Sequence, residues 1–148
     1  MSDTKREQIL KTLVTQMKSI SGMANSVFRS RNAPFIRDEF PAIVVDFLSD
    51  TPDQETFPQP ICGWSLLVSV RVFTKEDIAG NKSADEVADP LVQAAHGKMV
   101  GDPSLGGLSI DIQPAGVKNE ILDADLATGI ISLNYLVIYR TVQLDLLA

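Results

Sequence analysis

The residues of this chain whose types suit chemistry are few: two acidic groups, one histidine and one cysteine. Asp123 and Asp125 stand two apart, a spacing that suits paired carboxylates for a metal or for acid/base work. In a turn between strands the same pair reads more simply as solvated turn residues. His96 is the only histidine and Cys62 the only cysteine. A zinc centre or a Cys–His–Asn set needs more ligands than that, unless several copies assemble around it. His96 therefore reads as a packing or surface residue, and Cys62 as a small core residue. Asp85, Glu86 and Asp89 fall in the first turns of a helix, where the helix dipole favours acids without any further role.

Motifs that would supply a reaction are missing. The sequence holds no Gly-x-Ser-x-Gly elbow, no His-Glu-x-x-His, no Cys-x-x-Cys and no dinucleotide fingerprint. Asp102-Pro103-Ser104-Leu105-Gly106-Gly107 is a turn cluster rather than a phosphate loop, since the Lys-Ser/Thr pair is absent and a strand is expected to follow. The expectation is a protein that is not an enzyme, with no catalytic, cofactor-binding or metal residues.

The 148 residues predict a single domain, 1–148, ending in a short apolar tail, 142–148, that carries Leu144, Leu146 and Leu147. With 45% hydrophobic and 22% charged residues the composition is that of an ordinary globular protein. No apolar run approaches the roughly 20 residues that span a bilayer, and the polar start predicts no secretory signal. A lone cysteine suits a reducing compartment. Net charge is −6 and uneven: residues 1–40 carry seven basic against four acidic groups (+3), residues 101–148 two against six (−4). Such a chain is a poor candidate for tight nucleic-acid binding, which draws most of its affinity from phosphate contacts. Opposite charge at the two ends suits head-to-tail contact between copies, although solvated faces give the same bias.

The elements that would position these residues follow from periodicity. Residues 4–20 predict an amphipathic helix with Ile9, Leu10, Leu13, Val14, Met17 and Ile20 on one stripe. A short strand over 27–31 would carry Arg29 and Arg31 on one face, read either as a solvated edge or as a partner contact. A strand opening at Pro41 would face Ile43, Val45 and Phe47 to the core. Residues 49–60 then read as a long, acidic, proline-stiffened arm. Trp64, Leu66, Val68, Val70 and Val72 form one face of the next strand, with Trp64 either a core residue or an interface anchor. After a polar connection, Ser83 and Glu86 predict a capping box at the head of a second helix, kinked at Pro90 and ending before Gly101. Leu108, Ile110 and Ile112 predict a core-facing strand that Pro114-Ala115-Gly116 breaks, with another short strand after Val117. The last strand, 130–141, buries Ile131, Leu133, Tyr135, Val137 and Tyr139 and is expected to pair antiparallel with the Trp64 strand. This is an α+β fold: a mostly antiparallel twisted sheet packed on one face by two main helices.

The ordered set of features resembles the tail terminator proteins of long-tailed bacteriophages, the lambda-type minor tail protein U family. The residues carrying it are the leading helix, Glu39-Phe40-Pro41-Ala42-Ile43-Val44-Val45, the acidic proline-containing gap, and Trp64-Ser65-Leu66-Leu67-Val68-Ser69-Val70-Arg71-Val72-Phe73. A polar turn, a helix, Asp102-Pro103-Ser104-Leu105 and Leu133-Asn134-Tyr135-Leu136-Val137-Ile138-Tyr139-Arg140-Thr141 complete it. The likeness spans roughly residues 9–141, and the chain departs from the family at Pro90 and in the tail after Thr141. It implies a virion assembly protein made in the host cytoplasm. Six copies would ring the head-proximal end of a tail tube, stop further tube subunits adding, and offer a surface to the head-completion or neck connector protein. Genomic DNA would pass through the lumen without specific binding, and no membrane is involved. The segments expected to make contacts are 49–60, 75–82 and 142–148. The competing readings are another neck or head-completion protein, a small host-encoded binding domain, or an enzyme built on Asp123 and Asp125.

Overall fold

The computed structural model describes residues 3–29, 41–53, 61–75, 79–122 and 128–142. Helix α1 (Lys5–Lys18) is followed by β1 (Val27–Arg29), β2 (Ala42–Asp53) and β3 (Ile61–Lys75). Helix α2 (Ala84–Gly101) and a short 3-10 turn (Leu105–Gly107) lead to β4 (Asp111–Leu122) and β5 (Thr128–Val142). The strands form one sheet in the order β1-β2-β3-β5-β4, antiparallel except for the β1–β2 pair. Both helices pack on it, α1 against β1 and β2 and α2 against β3, β5 and β4. The fold is α+β. No helix among the described residues is long and apolar enough to cross a membrane.

The core is built from the expected stripes. On α1, Ile9, Leu10, Leu13 and Met17 are buried, and the helix starts where the Thr4 hydroxyl accepts the Glu7 amide. They meet Ile43, Val45, Leu66, Val68, Val70, Val72, Leu133, Tyr135, Val137 and Tyr139, one continuous face of the sheet. Each fully buried aliphatic side chain contributes about 1.5–3 kcal/mol of transfer free energy. α2 contributes Ala84, Ala88 and Ala95, small enough to let it lie close to the sheet, together with Met99. Two contacts fix its first turn: Thr74 Oγ1 donates to the Ala84 carbonyl at 2.8 Å, and Ala84 rests on Gly129. The helix runs through Pro90 as one element, as expected. The opposite face of the sheet holds a smaller cluster, Ala42, Val44, Phe73 and Ile130 with Phe28 against it, beside an Asp46–Arg71 ion pair at 2.7 Å.

Several expectations need correction. Phe47 is not a core residue: it is 42% exposed, with the Arg6 guanidinium 4.8 Å from its ring centroid. It still faces the helix side, opposite Val68, but it lies beyond the part of β2 that β1 flanks, where the Arg6 side chain rather than an apolar stripe lies over it. The arm expected from residue 49 begins later, because β2 continues to Asp53 in register with Gly63; residues 54–60 lie outside the described residues. Ile110 does not face the core and is 48% exposed, since the strand starts one residue further on. Pro114-Ala115-Gly116 does not break the strand. β4 runs through it with a bulge at Ala115, tolerated because β4 is an edge strand, where a missing amide costs no ladder bond, and because Gly116 takes φ +132°. Ser83 sits at the helix N-cap but does not accept from the helix. Its hydroxyl lies 2.5 Å from Asp85 Oδ1 and 3.1 Å from Glu86 Oε1, so it donates to a neighbouring carboxylate instead. Arg31, Asp123, Asp125, Leu144, Leu146 and Leu147 lie outside the described residues.

Candidate functional site

The residues read first for chemistry are dispersed. Cys62 is buried near one end of β3, and His96 is exposed on α2 with Nδ1 2.7 Å from the Tyr135 hydroxyl. The two rings stack at 5.8 Å between centroids, so His96 braces α2 on β5. Tyr135 is otherwise enclosed, and burial pushes its hydroxyl up to about 12, keeping it a neutral donor or acceptor. Asp85 is exposed, and its carboxyl is held below the ordinary range chiefly by the Ser83 hydroxyl. Among the described residues no group of three or more His, Cys, Asp or Glu side chains could hold a metal ion. Arg29 is neither a bare solvated edge nor free for a partner. It forms a two-pronged pair with Glu7, one arm at 3.1 Å, that ties β1 to α1.

A cluster that periodicity did not reveal lies under the first turn of α1. Asp50 accepts a hydrogen bond from Tyr139 at Oδ2, and Arg6 approaches the same oxygen at 3.9 Å. Trp64 stacks on Tyr139 at 6.3 Å and donates its indole N–H to Thr141 Oγ1 at 2.8 Å. The Asp50 side chain is 6% exposed, and its Oδ1 has no hydrogen-bond partner. Beside it is a cavity of about 40 Å³ lined by Thr4, Arg6, Trp64 and Tyr139. Burial raises the Asp50 carboxyl above its ordinary value, against the Tyr139 and Arg6 interactions that favour the anion. Tyr139 is raised as well, first by burial and then by Asp50. Neither a nucleophile nor a general base with a substrate-sized opening results. The cluster is a latch that fastens α1 to β2, β3 and β5, reinforced where Lys5 Nζ donates to the Arg140 carbonyl at 2.9 Å.

The surfaces that offer more are larger and less polar. β4 is exposed from Gln113 through Asn119, and Val117 is 67% exposed at its centre. On the other side of the sheet, β1 covers only Ile43–Val45 of β2; among the described residues no strand pairs with 46–53 on that side. At the end of the sheet near Thr74 and Lys75, a groove of about 590 Å³ opens between the turn after α1, residues 20–23, and the first half of α2. Ile20, Met23, Val87, Leu91 and Ala94 give it an apolar lining. Of the three segments expected to make contacts, residues 49–53 are strand, Lys75 borders the groove, and 143–148 lie outside the described residues. No protein-family model matches the chain, and no curated protein matches it.

Proposed function

We propose that this protein is a structural virion assembly protein. Six copies close as a ring on the head-proximal end of a phage tail tube, stop its polymerisation and present the surface for head joining. The observation supporting this reading is that the sheet ends in two unlike open edges. One is β4, exposed from Gln113 through Asn119; the other is β2 beyond Val45, which among the described residues has no neighbour on that side. An edge that meets a different edge on the next copy makes a heterologous contact, which closes into a ring when the rotation per copy divides a full turn. Exposed ladder groups favour such pairing. The latch beneath α1 gives each protomer a firm body, and the reading assigns it no catalysis. A chain of net charge −6 suits a lumen through which DNA slides without sticking.

The test is light scattering over a concentration series at low and moderate salt, followed by electron microscopy with tail tubes of the same phage. A species six times the 16.1 kDa protomer, seated at one end of each tube, is the expected result. A protein that stays monomeric and leaves tube ends bare would sink the reading. Docking on portal complexes instead of tubes would move it to another neck position.

A further inference from the structure

The groove near Lys75 and the end of β5 at Val142 lie at opposite ends of the sheet. Val142 pairs with Ile61, whereas Lys75, at the groove, pairs with Thr128. The groove reaches inward as far as Ala94, two residues before His96, which meets Tyr135, and from Tyr135 to Val142 the strand runs about 23 Å. Leu147 lies five residues past Val142, so even a fully extended chain carries it only about 18 Å from the strand end. Leu144, Leu146 and Leu147 therefore cannot enter the groove of their own chain. We infer that the groove between the turn after α1 and helix α2 receives the 144–147 leucines of a second copy, as a strap from one protomer to the next. This deepens the ring reading and rests on its self-association.

Chemistry on both sides fits. The groove wall is apolar, Met23, Leu91 and Ala94 among its residues, and a volume of about 590 Å³ accommodates several aliphatic side chains. The strap runs from the β5 end of one copy to the helix end of another. That contact is heterologous, of the same kind as the edge-to-edge contact.

Cysteine pairing tests it, in a Cys62→Ala background. Chains carrying Leu91→Cys are mixed with chains carrying Leu146→Cys under mild oxidation, with Ala94→Cys as a second groove position should Leu91→Cys fold poorly. A disulfide joining the two kinds of chain is expected. A full-length variant with Leu144, Leu146 and Leu147 all changed to Ser is expected to need roughly tenfold or more protein to self-associate. Normal oligomer mass in that variant, together with no mixed disulfide, would overturn the strap while leaving the ring standing. A disulfide formed within one doubly substituted chain at monomeric dilution would overturn it too. Failure of the unsubstituted protein to self-associate at any concentration would remove the ring and the strap together.

Discussion

Asp50 is an acid held almost out of water, with a tyrosine for its hydrogen bond and an arginine only in loose attendance at 3.9 Å. Burial is the leading influence on it, so its carboxyl titrates above the ordinary value of 3.8 in the folded protein. The native state then holds this proton more tightly than the unfolded chain does. The contribution of Asp50 to stability grows as pH falls through its folded-state value towards 3.8, and is lost as pH rises. Other carboxylates in the chain titrate over the same range, so the informative quantity is a difference. Urea denaturation of the natural protein and of Asp50→Asn should show the natural protein gaining on the variant between neutral pH and about 4. At neutral pH the two should lie within about 1 kcal/mol, because the Arg6 pair is partly exposed and weak. A difference that stays flat would mean that the carboxylate is well solvated, and one that runs the other way that Tyr139 and Arg6 outweigh burial. Asp50 also shows where sequence reading stops. In strict alternation it shares a face with Asp46, away from the helices. The bulge at Leu48 moves it to the other face, opposite Leu66, and so towards Tyr139. A one-residue slip of register reverses every later side chain, and nothing in Phe47-Leu48-Ser49 announces it.

Elements were more legible than their junctions. The α1 stripe and the period-two runs of β3 and β5 are long, and their burial follows the alternation, with Leu66, Val68, Val70 and Val72 inward on one strand and Leu133, Tyr135, Val137 and Tyr139 on the other. What depends on two or three local dihedrals was not legible: the Ala115 bulge read as a break, and the Ser83 cap whose hydroxyl donates to a neighbouring carboxylate. The seating of α2 on β5 belongs with these, because it depends on Gly129 having no side chain. A Cβ added there would come within 2.7 Å of the Ala84 Cβ, and Ala84 is held by the Thr74 hydrogen bond to its own carbonyl. Gly129→Ala must therefore lift the head of the helix or strain the strand. We expect a loss of about 1–3 kcal/mol in unfolding free energy. Adding Ala84→Gly should recover part of it, so that the double variant is more stable than the sum of the two single changes predicts. Denaturation midpoints of the three variants decide this. A Gly129→Ala protein as stable as the natural one would show that the first turn of α2 is free to shift.

At the scale of the molecule, the helices cover one face of the sheet, and among the described residues neither β4 nor β2 beyond Val45 is paired on its outer side. The natural devices that blunt an edge are only partly present on β4: it has a bulge, Pro114 and Lys118, but Val117 stands exposed among them. Register places Val117 opposite Leu133, on the helix-covered face of the sheet, yet it is left uncovered at the far end of that face. If β4 meets the open stretch of β2 on a neighbour, Val117 is carried into the contact, and a charge there must be desolvated when copies join. Val117→Lys should then shift the light-scattering association curve to higher protein concentration. Its effect on folding should be below about 1 kcal/mol, since the position is exposed and the strand is an edge. The two readouts separate the causes: lost association with unchanged denaturation locates Val117 in the interface, whereas parallel losses would mark a damaged fold. An association curve that does not move would leave β4 facing solvent in the assembly, and the argument from two unlike edges would fail with it.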